Sequence, residues 1–133
     1  MNSRIDEVVS RFISFLETGR PDPALFTSDV FLDFTLPQWR IQARGIEDVV
    51  GVRLHGHPGP GKVPRWSVAP TPTGFVMELE ERWTDAKDDW YCREVIIAHV
   101  DGGSINRLSV YCTGDWDSAR QALHSAQVQL LEP

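Results

Sequence analysis

Glu94 lies in the run 92–98, where alternate residues are apolar, and a carboxylate in such a run is a natural place to look for chemistry. A carboxylate taken out of water must find hydrogen bonds or keep its proton. A carboxyl with a raised pKa is what a general acid or base working near neutral pH requires. Its neighbours follow from hairpin pairing. Residues 85–89, Asp-Ala-Lys-Asp-Asp, make a polar hairpin loop, and setting Trp83 opposite Trp90 puts Glu81 opposite Cys92 and Leu79 opposite Glu94. Gly102 and Gly103 make a two-residue turn with Asp101 opposite Ser104. Carried on without interruption, that pairing sets Glu94 opposite Tyr111, Ile96 opposite Ser109 and Ala98 opposite Arg107. One face then carries Phe75, Met77, Leu79, Glu81, Trp83, Trp90, Cys92, Glu94, Ile96 and Ala98. It is the more apolar face and is expected inside. Two readings fit Glu94 there. One is a structural Glu–Tyr or Glu–Arg pair in the core. The other is a poised acid or base, with Tyr111 donating a hydrogen bond to a developing oxyanion. A slip of one residue would reverse these facings.

Five tryptophans stand at 39, 66, 83, 90 and 116. Trp39, Trp83 and Trp90 are expected to line a pocket and stack on a flat ligand, with Glu81 and Arg107 as its polar contacts. His55 and His57 lie at or in a loop, and two histidines without a third ligand at suitable spacing do not make a metal site. They read as surface residues, and His99 as an outward residue near a strand end. Gly56, Gly61 and Lys62 match most of a phosphate-loop pattern, but Val63 replaces its Ser or Thr and Pro64 prevents a helix from starting. Nucleotide binding is rejected. In the register above Cys92 and Cys112 face opposite ways, which excludes a disulfide. No histidine is placed to activate either thiol. No metal and no organic cofactor is expected.

These groups need a scaffold. Ile5, Val8, Val9, Phe12, Phe15 and Leu16 repeat at helical spacing, with Ser3 and Asp6 as a capping start and Gly19 then Pro21 as a stop. Residues 23–26 allow one helical turn. Residues 30–36 read as a strand, Pro37 and Gln38 as a corner, and the alternation of Trp39, Ile41 and Ala43 as a return strand. Gly45 opens a second helix, where Glu47 and Asp48 complement the dipole and Ile46, Val49, Val50, Arg53 and Leu54 share a face. Residues 56–64 hold three prolines and three glycines, a loop suited to moving or covering something. A short strand fragment at 65–68 precedes three long strands at 75–83, 90–100 and 105–113. Asp117 caps a last helix through Ala119, Ala122 and Leu123. The fold class is α+β in the order α-α-β-β-α-β-β-β-α, a cone-shaped, curved, mostly antiparallel sheet wrapped around three helices.

A length of 133 residues suits a single domain, 1–133. The net charge of −6, with basic residues scattered, argues against nucleic acid or an anionic membrane as partner. No apolar run suits a signal peptide or a membrane span, and two cysteines make no disulfide framework, so the cytoplasm is the expected location.

The helix at 5–16, the strand at 28–34, the Gly45-Ile-Glu-Asp48 opening of the inner helix and the meander at 75–116 together resemble the nuclear-transport-factor-two-like superfamily. That superfamily includes ketosteroid isomerases, limonene epoxide hydrolases and SnoaL-like polyketide cyclases, as well as binding and dimerisation domains. The resemblance implies a pocket between sheet and helices. It places Asp33 where the isomerases carry their catalytic base, although Phe34 follows it here instead of Pro, whereas the alternation alone groups Asp33 with Phe31 and Thr35, opposite the apolar face of Val30, Leu32 and Phe34, and reads it as facing solvent. It places Asp115 near the second acid of the epoxide hydrolases, whereas the residues alone read Asp115 to Asp117 as a turn and helix cap. The expected function is a cofactor-independent enzyme doing acid/base chemistry on a hydrophobic polyketide-, terpenoid- or aromatic-like metabolite: a cyclase, isomerase, dehydratase or epoxide hydrolase. The alternative is a non-catalytic binding or dimerisation domain. A homodimer through the outer sheet face (Tyr91, Val95, Ile97, Leu108, Val110) is expected in either case.

Overall fold

The computed structural model describes residues 3–133, and side chains from residue 4 onward. The apolar stripe of helix α1 (Ser3–Thr18) buries Val8, Val9, Phe12, Phe15 and Leu16. The expected Ser3 cap falls on a side chain outside the described ones. Gly19, at φ 76°, ends the helix by donating its N–H to the Phe15 carbonyl at 2.7 Å, as a left-handed C-terminal residue does. Residues 23–25 form the single turn expected there, with the Leu25 N–H bonded to the Asp22 carbonyl.

Six strands follow: β1 (Phe26–Leu36), β2 (Trp39–Arg44), β3 (Gly61–Thr71), β4 (Gly74–Thr84), β5 (Asp89–Asp101) and β6 (Ser104–Cys112). Helix α2 (Ile46–Gly56) divides them, and α3 (Ser118–Gln127) closes the chain with its Asp117 carboxylate accepting the Arg120 N–H at 2.8 Å. The strands form one curved, unclosed sheet in the order β2-β1-β6-β5-β4-β3, antiparallel except where β1 meets β6. Helices α1 and α2 fill its concave side, and the fully buried Phe12, Phe75, Leu25, Met77, Leu79 and Ile96 lie between the layers. Burying one such side chain contributes about 1.5–3 kcal/mol.

Strand β3 is longer than the fragment at 65–68 that its sequence suggests, and the loop before it shrinks to residues 57–60. Pro64 and Pro70 disguise it, but it is an edge strand, where a missing N–H is tolerated. Its first residue must be small, because a Cβ on Gly61 would meet the Arg82 carbonyl oxygen at 2.8 Å.

The β4–β5 register is the expected one, with Trp83 opposite Trp90, Glu81 opposite Cys92 and Leu79 opposite Glu94. The β5–β6 register is not. Asp101 does pair with Ser104 across Gly102 and Gly103, both at positive φ as a primed turn requires. The ladder then shifts: Val100 pairs with Ile105 but His99 with Arg107, so Asn106 is an extra, bulged residue. From there on every β6 side chain changes face. Glu94 faces Cys112 instead of Tyr111, Ile96 faces Val110, and Ala98 faces Leu108. Leu108 and Val110, expected outside, are buried in the core, while Tyr111 is exposed.

Candidate functional site

A cavity of about 210 Å³ lies between α1, α2 and the concave sheet. Its walls are apolar: Phe12, Phe15 and Leu16 from α1, Val49 and Val52 from α2, Leu32, Phe34 and Leu36 from β1, Ile41 from β2, and Ile96, Leu108 and Val110 from the central strands. Its polar lining residues include Arg53, His57, Glu81, Glu94, Cys112 and Asp115. Such a pocket takes a molecule that is hydrophobic along most of its length and polar at one point.

Each polar group has a definite support. Arg53 stands in the last turn of α2, one turn after buried Val49, which turns it into the cone. Its Nη2 donates to Glu81 Oε1 at 2.8 Å and also to the Leu16 carbonyl. Its Nε and Nη1 are buried with no hydrogen-bond partner among the described residues. His57 follows α2 directly and lies over Trp83, ring centroids 3.5 Å apart. Its Nδ1 is 3.7 Å from Glu81 Oε1 and its Nε2 is 3.6 Å from Asp115 Oδ1. Trp90 stacks behind Trp83 at 6.4 Å.

The two carboxyls at the floor are not equivalent. Glu81 has the Arg53 guanidinium. Glu94, 8% exposed, is met instead by the Cys92 thiol, 3.9 Å from its Oε1, and by the neighbouring Glu81 carboxyl. Burial pushes its pKa well above the ordinary 4.5, and the adjacent Glu81 charge pushes the same way, while Arg53 opposes both. These surroundings favour the protonated form of Glu94. Asp115, at the rim, is also raised, by burial against the weaker opposing pull of Arg53. Cys92 and Cys112 share a hydrogen bond that pushes Cys92 up and holds Cys112 down. Both are free thiols.

No protein-family model and no curated protein matches the chain. Solved structures do. An NTF2-like protein from Anabaena variabilis is 16% identical, covers 85% of this chain and 89% of its own, and superposes with a TM-score of 0.70. A phenazine biosynthesis-related protein from Pseudomonas aeruginosa is 16% identical over 98% of this chain and 90% of its own, TM-score 0.63. A candidate ketosteroid isomerase from Kribbella flavida is 15% identical over 98% and 92%, TM-score 0.55. The chain has the NTF2-like fold. At these identities the likeness reaches the fold and stops there.

Within this NTF2-like cone, Glu94 and Glu81 line the cavity from the face expected for them, and Asp115, which the residues alone read as part of a turn, lines it too; Trp83 and Trp90, expected in the lining, are not part of it, Trp83 lying behind His57 and Trp90 behind Trp83. Other expectations need correction. Asp33 lies on the convex face, where its Oδ1 and Oδ2 accept from Arg40 at 2.8 and 2.6 Å, and that hydrogen bonding holds its carboxyl below the ordinary value. Tyr111, moved by the Asn106 bulge, is 53% exposed on that same face. Arg107, moved the same way, stacks on Phe31 at 4.7 Å. Trp39, on the edge strand, is 70% exposed. The cysteines, expected on opposite faces, are neighbours on the concave one.

Arg53, His57 and Cys112 were missed as site residues. Arg53 has a signal in the sequence, its place on the apolar face of the second helix. Cys112 is hidden by the bulge. His57 had only its position in a loop suited to covering something. No described helix is long and apolar enough to cross a membrane.

Proposed function

We propose that the chain is an acid–base enzyme acting on a small, neutral, hydrophobic carbonyl compound, of isomerase, cyclase or dehydratase type, with no metal or organic cofactor in its chemical step. The observation that carries this is the buried carboxyl of Glu94, in no ion pair among the described residues, beside an apolar cavity. A protonated carboxyl donates a hydrogen bond, and the unpartnered Arg53 N–H groups are further donors. Together they suit a carbonyl oxygen that gains charge as a neighbouring C–H proton leaves. His57, with Asp115 on its far side, is the base that takes the proton. Glu81 neutralises Arg53 at rest, which favours a neutral ligand over an anionic one. Solved neighbours described as isomerases agree with this class of chemistry. We also propose a homodimer through the convex face, where Val95, Ile97 and Tyr111 are exposed.

The test is deuterium exchange. A panel of hydrophobic ketones, enones and lactones is incubated with the protein in D2O and followed by NMR. Exchange at the position next to a carbonyl, reduced about 10²–10⁴-fold in Glu94→Gln, is the expected result. Tight binding with no exchange across the panel would return the chain to the non-catalytic class.

A further inference from the structure

The sequence gives no third ligand to its histidines, but the fold brings two. Ligand atoms of His57, Cys92 and Asp115 all lie within 4.8 Å of one another. They come from three separate stretches: the α2–β3 connection, the first part of β5 and the segment after β6. Zn–N and Zn–O bonds run to ~2.0–2.2 Å and Zn–S bonds to ~2.3 Å, so a cation between these atoms needs only modest closure of the group.

A second observation points to a missing occupant. The His57 side chain is 10% exposed, yet its Nδ1 is buried with no hydrogen-bond partner among the described residues. Its Nε2 has only Asp115 Oδ1 nearby, at 3.6 Å. A ring nitrogen removed from water and left unpaired is costly. Charge agrees. Arg53 is the one Lys or Arg lining the cavity among the described residues, and it is committed to Glu81. Asp115 lines the cavity with His57 Nε2 3.6 Å away, and the buried Cys92 thiol lies within reach of both.

We infer that His57, Cys92 and Asp115 form a three-ligand site for a borderline-soft divalent cation such as Zn2+, with its open coordination position toward the cavity. His57 Nε2 is the ligating nitrogen. That choice leaves Nδ1–H on the side of Glu81 Oε1, 3.7 Å away, and closing that gap on metal binding would complete the carboxylate–histidine–metal arrangement that fixes a ligand's tautomer. The metal displaces the Cys92 proton to solvent and bonds the resulting thiolate. Occupancy ties up the proposed base, so the metal-loaded form is a closed state of the pocket.

Cobalt(II) is the probe, titrated into the full chain and read by absorption. The expected result is one equivalent bound, with the thiolate-to-cobalt charge-transfer band and the intense visible bands of low-coordinate cobalt. Cys92→Ser abolishes the charge-transfer band. His57→Ala weakens binding at least about 100-fold, since even outer-shell partners are worth 10–100-fold, and its thermal unfolding transition shows that it is folded. Cys112→Ser keeps the band. Absence of a charge-transfer band in the wild type, its survival in Cys92→Ser, its loss in Cys112→Ser, or cobalt affinity unmoved in His57→Ala would overturn the assignment. The inference stands apart from the proposed catalysis: Glu94→Gln should lose exchange activity and still bind cobalt.

Discussion

Two carboxyls on the same sheet, Asp33 on the convex face and Glu94 on the concave face, are in opposite electrostatic states. Asp33 has water on one side and a two-pronged Arg40 on the other, which favours its charge. Glu94 is buried, and the nearest guanidinium is already held by Glu81. The lesson is that position in the sequence pattern does not decide which acid does chemistry. Access to water and competition for one cation do.

The largest way to disturb this contrast is to remove that cation. Arg53→Met leaves Glu81 buried without its partner, and breaking such a pair costs about 3–5 kcal/mol. Urea unfolding at neutral pH reads it.

Next comes Glu94→Gln, which keeps the shape of the protonated acid. Besides losing exchange activity, it should flatten the pH dependence of stability. The folded Glu94 pKa lies above the unfolded value, so the native state holds the extra proton between them. Wild-type stability then falls as pH rises through that window, by up to about 1.4 kcal/mol per pH unit for one proton. The Gln variant should not show that fall, and should overtake the wild type toward the upper end of the window.

Much of this site could be read before any fold was known, and the reason is local. The β4–β5 hairpin has a polar loop of defined length and unbroken alternation, so Glu81, Trp83, Cys92 and Glu94 could be assigned to one face. The β5–β6 hairpin has an equally clear turn, but Asn106 adds one residue with no compositional mark. That addition exchanged Tyr111 for Cys112 and put Arg107 outside. Strand β3 hid behind prolines that only an edge position tolerates. His57 owes its place to the path of the α2–β3 connection and to Trp83, neither of which is local in sequence.

Smaller effects test the convex side. Tyr111→Phe and Asp33→Asn should leave exchange activity unchanged. For Asp33 the folded pKa is depressed, so its contribution is present above the unfolded value and lost as pH falls through the folded one. Asp33→Asn should therefore lower the thermal midpoint slightly at neutral pH and converge with wild type in acid. A loss of activity in either variant would contradict the assignment of these residues to the outer face.

The most direct measurement is the pKa of Glu94 by carbon-detected NMR of its side-chain carboxyl, with Glu94→Gln to assign the resonance. The account predicts titration well above the ordinary 4.5, while Asp33 titrates below 3.8 in the same experiment. A Glu94 that titrates at or below 4.5 would mean a solvated or permanently paired carboxylate, and the proposed acid would not exist.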